Sequence, residues 1–204
     1  TSMTERDIRI VLMKGSVRPG NYTSMASALV VDEFGKHGGV SVEVIDPAGL
    51  DLSPPGLDED KPDPKRIREI VREATAVVLA TPEYHGSFSS TMKLVIENLG
   101  FPSVLSGKPA ALLGVAAGSI GAIKSLESLG SVCQHVGAIV MPGPVSDGAL
   151  GRDEPHALHR GQHLPEGIAR SLRQGEGDGG KGGEGVRGCG LEVRGSVKDQ
   201  KPVI

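Results

Sequence analysis

Ala76-Val-Val-Leu-Ala80 is apolar at every position. A strand with one wet face alternates apolar and polar residues, so a run without a polar side is buried on both faces, as in the centre of a parallel sheet. Parallel strands need long crossovers, and this chain supplies them as helices. Short apolar runs at Ile8–Lys14, Val40–Ile45, Ala110–Val115 and Ala138–Met141 predict further strands. Between them, Ser24–Phe34, Pro64–Ala74, Ser89–Leu99 and Ala122–His135 carry apolar residues at helical spacing, as in Met92, Val95, Ile96 and Leu99. Strand and helix in alternation predict an α/β domain with a five-stranded parallel sheet and right-handed crossovers. With strand order 2-1-3-4-5, the loops after the first, third and fourth strands lie side by side at the carboxyl edge. Ligands of open α/β sheets bind there.

Those three loops are rich in Gly, Ser, Tyr and His. The first, Gly15-Ser-Val-Arg-Pro-Gly-Asn-Tyr-Thr23, joins a strand to a helix that starts near Tyr22. Unpaired N–H groups and the positive end of the helix dipole favour an anion at such a start. Ser16, Asn21 and Thr23 add side-chain donors, and Arg18 adds a charge-assisted one. Two familiar glycine loops are excluded. Gly15 and Gly20 have P-loop spacing, but Asn21 and Tyr22 stand where Lys and Ser or Thr are required. Val17 takes the place of the second glycine of the dinucleotide fingerprint, so Asp46 reads as a strand-end turn residue rather than a ribose ligand. A loop for one terminal phosphate remains.

Composition narrows the class further. A chain of 204 residues with formal charge −3 holds one domain plus a tail and has no global field for nucleic acid. No apolar run reaches the length of a membrane span, and no secretory signal is visible, because Arg6 and Asp7 interrupt the first residues. Cys133 and Cys189 are too few for a disulfide framework and too far apart for a metal motif, which favours a cytoplasmic protein with no metal site. Cys133 reads as a small core residue. The two tyrosines, Tyr22 and Tyr84, both fall in the polar loops.

Gly15-Ser-Val-Arg-Pro-Gly-Asn-Tyr-Thr23 and the third-strand segment Thr81-Pro-Glu-Tyr-His-Gly-Ser87 together resemble the two motifs of the NAD(P)H-dependent FMN reductases. That is a flavodoxin-like family of three-layer sandwiches that includes chromate, azo-dye and quinone reductases. The resemblance covers Ile8 to Ser146. It implies that Ser16, Arg18, Asn21, Tyr22 and Thr23 hold the FMN phosphate. It also implies that Pro82, Glu83, Tyr84, His85, Gly86 and Ser87 run along the isoalloxazine, and that Ala117, Gly118, Ser119 and Gly121 approach its other edge. His85 stands where many members carry Asn. The resemblance further implies NADPH or NADH as reductant, a small-molecule electron acceptor, and a homodimer or homotetramer. A flavin carries the hydride chemistry itself, so no catalytic side chain is assigned.

Beyond Ser146 the resemblance ends. Residues 1–146 read as the flavodoxin-like domain and 147–204 as an atypical tail, rich in Gly, with composition predicting disorder from Gln174 onward. Leu164, Ile168 and Leu172 form a short apolar stripe that could replace the family's final helix. A shifted reading frame explains this tail better than an interaction segment, because it shows no repeat or sustained charge block. Two alternatives to an FMN-dependent oxidoreductase stay open from the sequence: a non-enzymatic flavin-binding electron carrier and a cofactor-free scaffold of the same fold.

Overall fold

The structure is a computed structural model that describes residues 7–57, 60–118 and 120–147. The expectations for the tail, including the Leu164, Ile168 and Leu172 stripe, lie outside the described residues, as does Ser119.

Strands β1 (Ile8–Lys14), β2 (Val40–Ile45) and β3 (Ala76–Tyr84) alternate with helices α1 (Tyr22–Phe34) and α2 (Pro62–Glu73). A two-residue strand β4 (Ser87–Phe88) precedes α3 (Ser90–Asn98), then β5 (Pro109–Val115), α4 (Ile123–His135), β6 (Ile139–Val140) and β7 (Val145–Asp147). The sheet order is β2-β1-β3-β5-β6, and every pairing along it is parallel. That is the expected 2-1-3-4-5 order with the fourth and fifth long strands now labelled β5 and β6. Among the described residues the sheet has seven strands rather than five, because β4 folds back antiparallel on β3 and β7 pairs with β5. The last expected strand, Ala138–Met141, shortens to β6, and β7 is a further strand beyond Met141–Pro144, where Pro142 and Pro144 lack the N–H a ladder needs and Gly143 takes φ +79°.

The period of two along each strand sorts the core. Val11, Met13, Val77, Leu79, Ala110 and Leu112 face a layer that contains Ile67 and Val71 of α2, Met92, Val95 and Ile96 of α3, and Leu126, Leu129 and Cys133 of α4. Ile10, Leu12, Val78 and Ala111 face the other way onto Phe34 of α1. Ala80, Leu113 and Val115 extend that face toward Ala26 and Tyr22. Burial on both faces is what the unbroken apolar run of β3 requires. Phe34 is fully buried, worth about 1.5–3 kcal/mol relative to exposure. Cys133 is the expected core thiol: burial pushes its pKa up to about 12, far from the thiolate that reactivity needs. No helix among the described residues is long and apolar enough to cross a membrane.

Candidate functional site

The loop after β1 is anchored by glycine. Gly15 donates its N–H to the Ala80 carbonyl at 2.7 Å, and its own carbonyl accepts from Ser89 Oγ at 2.5 Å. A Cβ here would lie 3.0 Å from the Ala80 carbonyl oxygen and 3.1 Å from both Met92 Cβ and Ser89 Oγ. Only a residue without a side chain lets β1 turn this tightly over β3 and α3. Ser89 is the N-cap of α3 and also accepts from the Met92 N–H, while its own N–H reaches Thr81 Oγ1 at 3.1 Å. The first loop and the end of β3 therefore share one buried hydrogen-bond chain.

Within that loop the expected donors divide into two kinds. Asn21 is the N-cap of α1: its Oδ1 accepts from the Ser24 N–H at 2.7 Å, and its Nδ2 donates to the Arg18 carbonyl and to Ser24 Oγ. Its amide shapes the loop and has little left to offer a ligand. Thr23 is buried, and Tyr22 packs half-buried against Ala26, Ala80, Leu113 and Val115. Arg18, by contrast, is exposed and its guanidinium pairs with nothing among the described residues.

Ser16 is 3% exposed, and its Oγ is the buried side-chain polar atom that has no hydrogen-bond partner among the described residues. Leaving such a hydroxyl unpaired costs about 1–3 kcal/mol. An anion lodged in the loop supplies the missing acceptor, beside a helix start whose dipole favours it. The residues present thus fit a terminal phosphate.

The second motif departs from the loop expected of it. Thr81-Pro-Glu-Tyr84 continues β3, with Pro82 in register opposite Val115, and Tyr84 pairs with Ser87 across a two-residue turn. His85 has φ +50° and Gly86 φ +71°. Two successive left-handed residues make the type I′ hairpin turn, whose favoured first residue is Asn and which His also tolerates. His in place of Asn is therefore first a turn choice. Tyr84, His85 and Gly86 are exposed, Ser87 is half-buried and Pro82 is buried. Glu83 points its carboxylate away along the sheet edge: Oε2 accepts from the Ser125 N–H of α4 at 3.1 Å. Sequence reasoning missed that role, since the partner lies on another element.

After β5 come Ala116, Ala117 and Gly118, then Gly121, whose N–H donates to the Gly118 carbonyl at 3.0 Å. Ala117 and Gly118 are exposed. The Ala122 N–H donates to Ser146 Oγ at 2.8 Å, so β7 steadies the exit of this loop, a contact no motif announced. Below the site, Lys14 Nζ donates to Asp46 Oδ2 at 2.5 Å, and Asp46 caps the short turn after β2 through the Ala48 N–H. Burial opposes the charge of Asp46, but the bonds from Lys14 and Ala48 outweigh it and hold its pKa below the usual carboxylate value. This is the structural role the sequence favoured for Asp46. No group of His, Cys, Asp or Glu among the described residues could hold a metal.

A parallel sheet in this order, with three polar loops converging beyond β1, β3 and β5, defines a flavodoxin-like α/β protein. The flavoenzyme NAD(P)H:(acceptor) oxidoreductase FerB of Paracoccus denitrificans shares the fold, with TM-score 0.62 and 23% identity over 81% of this chain and 91% of that one. The chain belongs to the NADPH-dependent FMN reductase family, whose model matches residues 8–149. It is 35% identical to an NAD(P)H-dependent FMN reductase of Pseudomonas aeruginosa over 58% of this chain and 65% of that protein. It is 30% identical to an NADPH azoreductase of a Bacillus species over 74% of this chain and 87% of the relative.

Proposed function

We propose that this chain is an FMN-dependent oxidoreductase that takes reducing equivalents from NADPH or NADH and delivers them to small acceptors such as quinones, azo dyes, free flavin or metal oxyanions. The observation that carries this reading is the buried, unpaired Ser16 hydroxyl in a helix-start loop that also presents Arg18. Ser16, the backbone N–H groups opening α1 and Arg18 would hold the phosphate. Asn21 keeps that loop in shape, and Tyr22 and Thr23 fix the first turn of the helix against the sheet. Pro82 to Ser87 and the loop Ala117 to Gly121 would flank the ring.

Bound FMN supplies two-electron hydride chemistry, so the protein has to orient the ring and admit donor and acceptor. Val17 in the first loop, Tyr84 at the end of β3, Ile120 after β5 and Ile123 at the start of α4 are exposed large hydrophobic side chains, 48%, 40%, 78% and 47% exposed. Such a rim suits flat apolar acceptors, and a relative is a 2-hydroxy-1,4-benzoquinone reductase of a Burkholderia species. On this reading residues 1–146 are the flavin domain and 147–204 an appendage, the protein is cytoplasmic and works as a homodimer or homotetramer, and neither nucleic acid nor membrane takes part. The end of the family match at residue 149 supports that division.

Titration with FMN and riboflavin tests the reading. FMN is expected to bind far more tightly, because the loop donors converge on a phosphate that riboflavin lacks. Equal affinities would remove the phosphate loop. Steady-state NADPH consumption with a quinone then separates a reductase from an electron carrier, and failure to bind either flavin would leave only the scaffold.

A further inference from the structure

Glu83 belongs by motif to the ring-binding segment, yet its carboxylate is used elsewhere. Helix α4 has Ala122 at its N-cap, with no side chain of its own to cap the helix. Ser125, fully buried, turns its hydroxyl back to the Ala122 carbonyl at 2.9 Å, leaving its N–H to be met from outside the helix. Glu83 Oε2 meets it at 3.1 Å, from 42 residues away. A carboxylate on a first-turn N–H adds a charge-assisted bond and a favourable dipole interaction. Lys124 runs beside the same hairpin, its Cδ 3.6 Å from where a Gly86 Cβ would stand.

From this geometry we infer that Glu83 is a positioning residue: it caps α4 from the end of β3 and so fixes the distance between the hairpin and the loop Ala116–Ala122, the two walls proposed to flank the flavin ring. The inference rests on the proposed flavin site. The hairpin that pairs Tyr84 with Ser87 sets one wall, and Ala122 at the foot of α4 sets the other. Without the Glu83 bond, Ser146 Oγ on the Ala122 N–H and the packing of α4 are what align them among the described residues.

The experiment uses the full chain as wild type, Glu83→Gln, Glu83→Asp and Glu83→Ala, with amide exchange at Ser125 and titrations of FMN and riboflavin. Glu83→Ala is expected to speed Ser125 exchange and to weaken both flavins by the same factor, about tenfold, as loss of a charge-assisted hydrogen bond would. Equal weakening marks the ring walls, since riboflavin has no phosphate. Glu83→Gln keeps an acceptor oxygen and should restore most of the affinity. Glu83→Asp keeps the charge but loses the reach, and should behave like the alanine variant. Unchanged affinities in Glu83→Ala, or wild-type behaviour in Glu83→Asp, overturn the inference while leaving the flavin site standing. So does a Glu83→Gln variant as impaired as Glu83→Ala with Ser125 exchange unchanged, because the charge would then act on the ligand directly. If wild type binds neither flavin, the proposed function falls first and takes this inference with it.

Discussion

The two loops on either side of β3 are built on opposite principles. In the loop after β1, Gly15 is bonded at both its N–H and its carbonyl, and the Asn21 amide is used on both its atoms. In the loop after β5, Ala117 and Gly118 are exposed, and the loop's own closure is the Gly121 N–H on the Gly118 carbonyl. Among the described residues the first loop is thus the more heavily bonded of the two, and the second is the more exposed. Preorganisation raises affinity by removing ordering costs, whereas adjustable walls admit different acceptors. On the proposed reading, phosphate recognition lives in the first loop, while the second serves as a ring wall and sets acceptor breadth.

Gly15→Ala is the most severe test of that contrast. Its Cβ would meet the Ala80 carbonyl oxygen at 3.0 Å, and backbone cannot rotate away as a side chain can. Overpacking of this kind costs about 1–3 kcal/mol, with about 1 kcal/mol more if the Ser89 bond breaks. Thermal unfolding should show a clear drop in midpoint, with FMN affinity falling alongside. An alanine variant that matches wild type in both would mean that the first loop is not held as the geometry indicates.

Arg18→Ala acts on the ligand rather than on the loop. It should weaken FMN by about 1.5–3 kcal/mol, because a guanidinium makes a charge-assisted and often bidentate contact to phosphate. Ser16→Ala should cost about 0.5–1.5 kcal/mol in binding. It should also slightly stabilise the flavin-free protein, since it deletes a buried donor that has no partner there. Isothermal titration with melting curves of the flavin-free form checks both signs. Equal FMN dissociation constants for wild type and Arg18→Ala would remove Arg18 from the site.

These contrasts separate what the residues disclose on their own from what only their packing reveals. The sheet order was readable because the β3 run is apolar throughout, and a strand buried on both faces has few places to go. The first loop was readable because Gly15, Asn21 and the start of α1 are contiguous, so their geometry is local. The hairpin was not. Pro82 argues against a strand, yet β3 runs on through it to Tyr84, and His-Gly is a weaker turn signal than Asn-Gly. The family resemblance implies a place along the cofactor for Glu83 with the rest of its motif. Its cap on Ser125 depends on how β3 and α4 pack, which no spacing in the sequence encodes. Ser146 on Ala122 was hidden for the same reason.

Acid should loosen the first loop from below through Asp46. Its folded pKa lies below the unfolded value, so its contribution is present above the unfolded pKa and is lost as pH falls through the folded one. The window therefore lies below about pH 4, where an ordinary aspartate titrates. The side chain of Asp46 is 43% exposed, so solvent screening keeps the contribution to less than about 1 kcal/mol. Asp46→Asn should flatten that part of the stability-against-pH curve, measured by urea unfolding from about pH 2 to about pH 5. The same slope in both proteins would mean that the Lys14 bond does not persist in solution.

Gly118→Ala is expected to do least, and its sign matters more than its size. Among the described residues no atom outside the adjoining chain lies within 4 Å of where its Cβ would stand, and its φ is not in the left-handed region. The methyl therefore meets neither packing nor backbone strain. Alanine also narrows the unfolded ensemble, which at a compatible site stabilises by about 0.4–1 kcal/mol. Melting temperature should rise slightly, and FMN affinity should stay within about twofold if phosphate recognition lives in the first loop, a change worth less than RT. Turnover with a bulky azo dye is the sharper readout, since a stiffer wall should narrow acceptor breadth before it alters cofactor binding. Loss of FMN affinity comparable to that of Arg18→Ala would place cofactor recognition in the loop after β5 as much as in the loop after β1. The division of labour between the two loops would then be wrong.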